Sequence, residues 1–194
     1  MPMKRILIIA AFVCSICVQA QQPERFSKWY SSATDREYVV AAETVKGDNF
    51  ECLIYAQSLY MHIPVVGLKI YAKDIPAFVA KLRSLAEVAG TWWQQEAASL
   101  GVEDLGRVFA VDFPSVTAWY DPATPPDTDY HDMNNAKIEA YSQMQFAFHG
   151  VVFLSVSPIV DKDAHRHPGL ILPFGNKEEI EAFAKALEYV ATGK

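Results

Sequence analysis

The polar and apolar residues of this chain follow two different periods in each of its halves. In the first half, short runs that alternate or are rich in β-branched residues are bounded by turn residues, which predicts β-strands. These predicted strands cover residues 37–44, 50–57, 59–63 and 66–71. From Ile75 onward, apolar residues recur at steps of three and four, which predicts an amphipathic helix. Asp74 is its expected N-cap. Gly101 is its expected end, and a kink or division of the helix at Gly90 is the alternative.

The second half repeats this order of strands followed by one helix. Its predicted strands cover residues 107–113, 116–120, 141–149, 151–157 and 169–174. Residues 121–139 form a Pro- and Asp-rich insertion that is long for a connection without structure, so it is either functional or simply mobile. Asn176 and Glu179 form a capping-box-like start of the closing helix.

One strand-into-helix phrase occurs twice and relates the two halves. Gly67 and Gly169 each begin a Gly-Leu-x-aliphatic strand, and Ile75 and Ile180 each begin the helical phrase Ile-x-Ala-Phe-x-x-x-Leu, at positions 105 residues apart. Consecutive strands joined by short turns pair antiparallel. We therefore predict an α+β fold of two β4–α repeats, residues 37–101 and 107–194, in which antiparallel sheets pack against two helices within a single domain, 37–194.

This element order resembles that of the Whirly fold, a single-stranded nucleic-acid-binding architecture. The resemblance covers nearly the whole chain after residue 20 and concerns the order of elements only, because the two share no sequence motif. It implies a duplicated β4–α architecture. A fold alone does not specify what a protein binds.

Residues 1–20 have the three parts of a secretory signal peptide. A short cationic start is followed by an apolar run, residues 6–18, and by a small-residue cleavage site that ends at Ala20. A membrane anchor is the alternative, but a span needs roughly 20 apolar residues, and this run has 13. Lipid attachment is disfavoured because neither Cys14 nor Cys17 follows a pair of small residues. We expect cleavage after Ala20 and a periplasmic or extracellular protein with no membrane span after cleavage.

Charge argues against a nucleic-acid partner. Loss of Lys4 and Arg5 with the signal peptide leaves 15 Lys and Arg against 23 Asp and Glu, a net charge of −8. A net anion repels phosphate backbones unless it carries a local basic patch, and no run of Lys or Arg supplies one. Residues 21–36, which begin the exported chain, are polar with isolated aromatics, so they form either a loose arm or a short edge element.

The one cysteine that remains after cleavage, Cys52, cannot form an internal disulfide. Cys52 lies in an alternating run with Phe50 and Ile54, where a small buried hydrophobe is the simplest interpretation. A catalytic thiol needs an accessible electropositive niche, and the neighbouring sequence offers none. Trp92 and Trp93 point to different sides of a helix, so we expect one in the core and the other over a sheet edge or against a partner.

Two short polar clusters contain the residue types of a metal site. His165, His167 and Asp163 lie in the loop 161–167, and His131 lies in the insertion 121–139. Imidazole and carboxylate ligands suit zinc and other transition metals. A competent site has to bring three or four such groups together, so solvated loop residues are the simpler interpretation, and we expect no cofactor.

The sequence contains no motif that identifies an enzyme. It lacks a Gly-x-Ser-x-Gly elbow, a His-Glu-x-x-His helix and a phosphate-cradling Gly loop. An aromatic platform for sugars or peptides is conceivable, with core packing as the alternative; its members are Tyr55, Tyr60, Tyr71, Trp119 and Tyr120. Our leading hypothesis is an exported, non-catalytic protein that binds a ligand or protein partner of unknown identity across an exposed sheet face. A metal-assisted periplasmic hydrolase using His165 and His167 is the alternative, and a self-associating subunit is a third.

Overall fold

The protein has an α+β fold of antiparallel strands and two helices. The computed structural model describes residues 25–44, 50–58, 66–99, 108–120, 132–144, 150–156 and 169–193. In these ranges the helices are α1 (Ile75–Ser99), entered through a single 3-10 turn (Ala72–Asp74), and α2 (Lys177–Thr192). The strands are β1 (Phe26–Ser31), β2 (Arg36–Thr44), β3 (Phe50–Ser58), β4 (Val66–Tyr71), β5 (Val108–Phe109), β6 (Val116–Tyr120), β7 (Asp132–Ala136), β8 (Glu139–Met144), β9 (Gly150–Val156) and β10 (Leu170–Phe174).

The strands form two antiparallel ladders that meet at β3. One ladder runs β1-β2-β3-β4-β6-β7, and the other runs β5-β8-β9-β10. The end of β3 joins them, because Gln57 pairs with Ile171 and Ser58 pairs with Leu170 of β10. Every strand pairing within the described ranges is antiparallel, as predicted.

The two helices pack against each other and supply the centre of the core. Phe78 and Leu82 of α1 and Phe183 and Leu187 of α2 are all completely buried. The contacts between the helices pair Phe78 with Phe183 and Glu87 with Lys177, so the two helices run in opposite directions. The three- and four-residue period predicted from the sequence therefore marks the faces that meet in the core.

Two segments of the second half differ from the prediction. Of the strand predicted for residues 107–113, the described part contains a strand of two residues, Val108–Phe109, and Val111 N donates to Phe109 O at 2.8 Å just after it, as in a γ-turn. The insertion 121–139 is not wholly a connection, since it contains β7, which pairs with β6. The described part of the second half has six strands where the repeat predicts four, and the duplication stays a prediction.

Strand β1 lies in the segment for which the sequence left a loose arm and an edge element as alternatives. The structure has the second of these, because Phe26–Ser31 pairs along its whole length with β2. Trp29 is 2% exposed, and its ring lies 4.4 Å from that of Phe183 and 4.8 Å from that of Tyr38. The aromatic side chain thus attaches this edge strand to α2. The predicted strand 59–63, the Gly101 helix end and the signal peptide 1–20 lie outside the described residues.

Candidate functional site

A polar groove of about 340 Å³ opens where β4 ends and β6 begins. The ladder pairs Lys69 of β4 with Thr117 of β6, which brings the two strand ends side by side. After β4 the chain enters the 3-10 turn that leads into α1, and this turn closes one side of the groove. The lining residues are Lys69, Ile70, Tyr71, Lys73, Asp74, Ser115, Val116 and Thr117.

The floor of the groove belongs to the core, and its rim is exposed. Ile70 and Val116 are 2% and 5% exposed, and they anchor the two strand ends in the apolar interior. Lys69 and Tyr71 alternate with Ile70 and therefore lie on the opposite face of the sheet. Tyr71, Lys73 and Ser115 are exposed. Rigid strands thus hold a set of polar and aromatic side chains at a surface that a ligand can reach.

The charges on the rim come from Lys69, Lys73 and Asp74. Lys73 Nζ lies 5.9 Å from the centroid of the Tyr71 ring, a distance at which the ammonium and the ring attract each other. Within the described residues, Lys73 and Asp74 have no ion-pair or hydrogen-bond partner. Lys69 and Thr117, by contrast, each interact with another residue. Both lysines and Asp74 line the groove, and of the two lysines Lys69 already has a partner.

Two lysines outside the groove contact carboxylates. Lys28 contacts Glu37 at 2.9 Å, and Lys177 contacts Glu87 at 2.6 Å. The chain as a whole has 17 Lys and Arg against 23 Asp and Glu. Lys73 differs from these two lysines, because no carboxylate contacts it within the described residues.

Sequence reasoning did not identify this groove. Its residues come from one strand end, one turn and one strand start, and none of these three segments contains a motif that indicates a binding site. The sequence predicts Asp74 only as a helix cap; the structure places it in the 3-10 turn and among the residues that line the groove. Two features of the sequence could have pointed to the groove. Lys69 interrupts an apolar strand between Leu68 and Ile70, and a second lysine follows four residues later.

The predicted metal ligands lie outside the described residues, and these are Asp163, His131, His165 and His167. Within the described residues, no group of three or more His, Cys, Asp or Glu side chains is placed to hold a metal ion. The metal hypothesis therefore stays a prediction.

The two neighbouring tryptophans have different roles. Trp92 is 1% exposed and packs in the core, where its ring lies 6.0 Å from that of Phe109. Trp93 is half-buried and donates from Nε1 to the carbonyl oxygen of Gly150, the first residue of β9, at 2.8 Å. The sequence predicts that one of these tryptophans lies in the core and the other lies over a sheet edge or against a partner. The structure places Trp92 in the core and Trp93 against the end of a strand.

The other candidates fall partly within the described residues. Cys52 has Ala42 and Ile70 as its ladder partners, and both of these are buried. Its predicted place in the core stays a prediction, because its side chain lies outside the described part. Of the proposed aromatic platform, Tyr71 is 45% exposed and lines the groove. The remaining members, Tyr55, Tyr60, Trp119 and Tyr120, have side chains outside the described part.

Comparison with known proteins adds no further assignment. No protein-family model, no curated protein and no solved structure matches the chain. The Whirly-like element order consequently stays a resemblance drawn from the sequence. Among the described residues, no helix combines the length and apolar content needed to cross a membrane.

Proposed function

We propose that this is an exported, non-catalytic protein that binds a small polar ligand in the groove between the end of β4 and the start of β6. The observation that carries the proposal is that six polar or aromatic residues line one groove of about 340 Å³, namely Lys69, Tyr71, Lys73, Asp74, Ser115 and Thr117. Ligand sites of this kind combine an apolar or aromatic surface with a few polar groups that fix orientation.

The non-catalytic part of the proposal follows from the rim chemistry. Lysine, tyrosine and serine at ordinary surface positions bind and orient a ligand, but an activated nucleophile needs a base within hydrogen-bond reach. Ser115 has no hydrogen-bond partner among the described residues. We therefore expect any bound ligand to be recovered unchanged, and we expect a chelator to leave binding unaffected. Turnover that the chelator abolishes would instead favour the metal-assisted hydrolase.

Nuclear magnetic resonance on isotope-labelled protein tests the site. Sugars, sugar acids, amino acids, short peptides and inorganic phosphate are added in turn to the protein recovered from producing cells. We expect at least one class to perturb the amides of residues 69–74 and 115–117 in a saturable manner. Tyr71→Ala and Lys73→Ala should abolish that response. Saturable perturbation confined to another surface, or none from any class, would contradict the proposed site.

Export is tested on the same material. Intact mass spectrometry should show a chain that begins at Gln21, because the small-residue site at Ala20 ends the signal peptide. The protein should be recovered from the periplasm or the medium. A chain that keeps Met1 and stays in the cytoplasm would contradict export while leaving the groove untested by that measurement.

A further inference from the structure

The outer edge of strand β1 is open to a further strand. Within the described residues, β1 pairs with β2 alone. Ala42 N donates to Arg25 O at 2.9 Å, and continuing the register of β1 and β2 places these two residues opposite each other. They therefore form a hydrogen-bonded pair. Because such pairs alternate with non-hydrogen-bonded pairs along an antiparallel ladder, Phe26, Lys28 and Tyr30 direct their backbone N–H and C=O groups away from β2.

The side chains of the same three residues are exposed. Phe26 is 58% exposed and Tyr30 is 49% exposed, and the side chain of Lys28 is 47% exposed. None of the three lines the proposed groove. An edge strand with open backbone groups pairs with another strand unless charge, proline or a bulge prevents it. β1 contains no proline and no bulge, so among these residues only Lys28 opposes pairing.

Lys28 decides which antiparallel register suits a second copy of the same strand. Three registers bring the open backbone groups of two copies together, and they place Lys28 opposite Phe26, Lys28 or Tyr30 of the second copy. Two lysines directly opposite each other repel, which disfavours the middle register. Phe26 has Ala41 as its ladder partner, so it offers a ring without a carboxylate beside it on the ladder. Tyr30 offers a ring and acceptors.

Carboxylates lie beside Tyr30 on its own copy. Its hydroxyl donates to Asp35 Oδ1 at 2.7 Å, and its ladder partner on β2 is Glu37. Lys28 already contacts Glu37 of its own copy at 2.9 Å, but both side chains of that pair are exposed, and an ammonium has several N–H donors. Lys28 can therefore keep Glu37 and also meet an acceptor of the second copy.

The two arginines near this edge follow the opposite face of the strands. Arg25 precedes β1, and Arg36 begins β2 opposite Ser31. Both alternate in phase with Trp29, whose side chain is buried in the core. They are consequently not beside a lysine that approaches Tyr30 along the exposed face.

We propose that two copies of this chain pair antiparallel through β1 about a twofold axis at Trp29, with Lys28 of each copy opposite Tyr30 of the other. Lys28 and Tyr30 then exchange backbone hydrogen bonds on both sides of the axis, and the sheet continues across the interface. The ammonium lies against the phenol ring, beside Asp35, so cation–π and charge attraction act together. Pairing through one short strand buries little surface, so we expect a weak dimer with a dissociation constant of roughly 0.1–1 mM.

Amide hydrogen exchange at two concentrations tests the pairing and its register. The full chain recovered from producing cells is compared at about 0.05 mM and about 2 mM, on either side of the expected dissociation constant. The amides of Lys28 and Tyr30 should exchange severalfold more slowly at the higher concentration, because only the dimer occupies them. The amide of Trp29, which faces β2, should not change. Slowing at Phe26 and Lys28 without Tyr30 would overturn the proposed register.

Variants at position 28 separate backbone pairing from charge, with sedimentation equilibrium as the measure of affinity. Lys28→Pro removes an N–H that β2 does not use, so dimerisation should be lost while the fold remains, as proline is tolerated at an open edge. Lys28→Glu should weaken the dimer roughly tenfold or more, because a carboxylate then meets Asp35 on both sides of the axis. Lys185→Glu makes the same change of net charge at an exposed position of α2 and should leave the affinity unchanged.

The opposite results overturn the proposal, and circular dichroism checks that each variant folds. A chain that stays monomeric up to about 2 mM has no such interface. A dimer that Lys28→Glu and Lys185→Glu weaken equally responds to overall charge and not to a contact at Lys28. A dimer that Lys28→Pro leaves intact uses another surface; if that variant does not fold, Lys28→Glu and the exchange pattern still decide. Ligand binding in the groove is measured at residues 69–74 and 115–117, so it is judged separately.

Discussion

Arg83 of α1 donates from Nη2 to Glu188 Oε2 of α2 at 2.7 Å, and the two residues are separated by 105 positions in the sequence. The same offset relates Ile75 to Ile180, the starts of the repeated helical phrase. Phe78 and Phe183 share this offset as well, and their ring centroids lie 6.5 Å apart. Under a twofold relation, a residue meets its own equivalent only near the axis. If the duplication holds, its axis passes between the two helices at these contacts.

The Arg83–Glu188 contact and the Phe78–Phe183 contact should differ greatly in their effect on stability. Arg83 and Glu188 side chains are 48% and 39% exposed, so a double-mutant cycle with alanine should give a coupling of about 0.2–1 kcal/mol. Phe78 and Phe183 are completely buried, and each Phe→Ala change should lower the free energy of unfolding by about 3–5 kcal/mol. Urea denaturation measures both. If the coupling energy of Arg83 and Glu188 were as large as the loss of unfolding free energy in either Phe→Ala variant, this ranking would be wrong.

Gly150 cannot be replaced by alanine without a shift of Trp92. A Cβ at Gly150 would lie 2.1 Å from Cη2 of the Trp92 ring, which is 1% exposed. Overpacking of this kind typically costs about 1–3 kcal/mol, and thermal unfolding of Gly150→Ala measures the loss. Gly90→Ala is the matched control, because its Cβ would meet the flexible end of Lys177 at 3.0 Å within a helix. The control should be as stable as the wild type or more so.

Glu179 connects the start of α2 to the turn after β1. Its carboxylate accepts hydrogen bonds from Gly175 N at 2.7 Å, Asn176 Nδ2 at 2.9 Å and Ser32 N at 3.0 Å, and the residue is 7% exposed. Glu179→Ala leaves these donors without their acceptor, so we expect a loss of roughly 1–3 kcal/mol or more in the free energy of unfolding.

The exposed neighbour Glu178 serves as the control for that change. Glu178 lies in the same first turn of α2, and Glu178→Ala should alter stability by only about 0.3–1 kcal/mol through the helix dipole. Hydrogen exchange should also quicken at Ser32 in Glu179→Ala and not in Glu178→Ala. Equal effects of the two variants would contradict a specific role of the Glu179 carboxylate.

Tyr38 should make the protein less stable at alkaline pH. Burial raises the pKa of the Tyr38 phenol above 10.0, more than the hydrogen bond to Thr34 and the nearby charge of Arg36 lower it. The folded pKa is then higher than the unfolded pKa, so the unfolded state loses its proton first. The contribution of Tyr38 is complete below pH 10.0, the unfolded pKa, and is lost as the pH rises through the folded value.

Tyr38→Phe isolates that contribution. The variant should show a shallower decline of the unfolding free energy above pH 10 than the wild type, measured by urea denaturation at a series of pH values. Tyr30 titrates there too, because its hydrogen bond to Asp35 raises the pKa of its phenol. Tyr30→Phe therefore serves as the comparison, and its exposed position should give a smaller change. An unchanged alkaline slope in Tyr38→Phe would contradict the assignment.

Local patterns in the sequence determined most of the elements of this fold. The three- and four-residue period of α1 and α2, the alternation of β2, β3 and β4, and the Asn176–Glu179 cap all depend on neighbours within a few residues. Asn176 Oδ1 accepts from Glu179 N at 3.0 Å, as the capping pattern predicts. Such signals are short-range, so they can be recognised without knowledge of the fold.

Contacts between distant segments could be decided only by the tertiary structure. The third donor to Glu179 is Ser32, 147 positions away, and the choice of Trp92 rather than Trp93 for the core depends on where β9 lies. The strand β7 within a Pro- and Asp-rich segment exists because β6 offers it an edge. The candidate site also depends on a contact between distant segments, since Lys69 and Thr117 become neighbours only when β4 and β6 pair. Tyr71 and Lys73 are near Lys69 in the sequence, but the hydroxyl of Thr117 comes beside it only through the ladder.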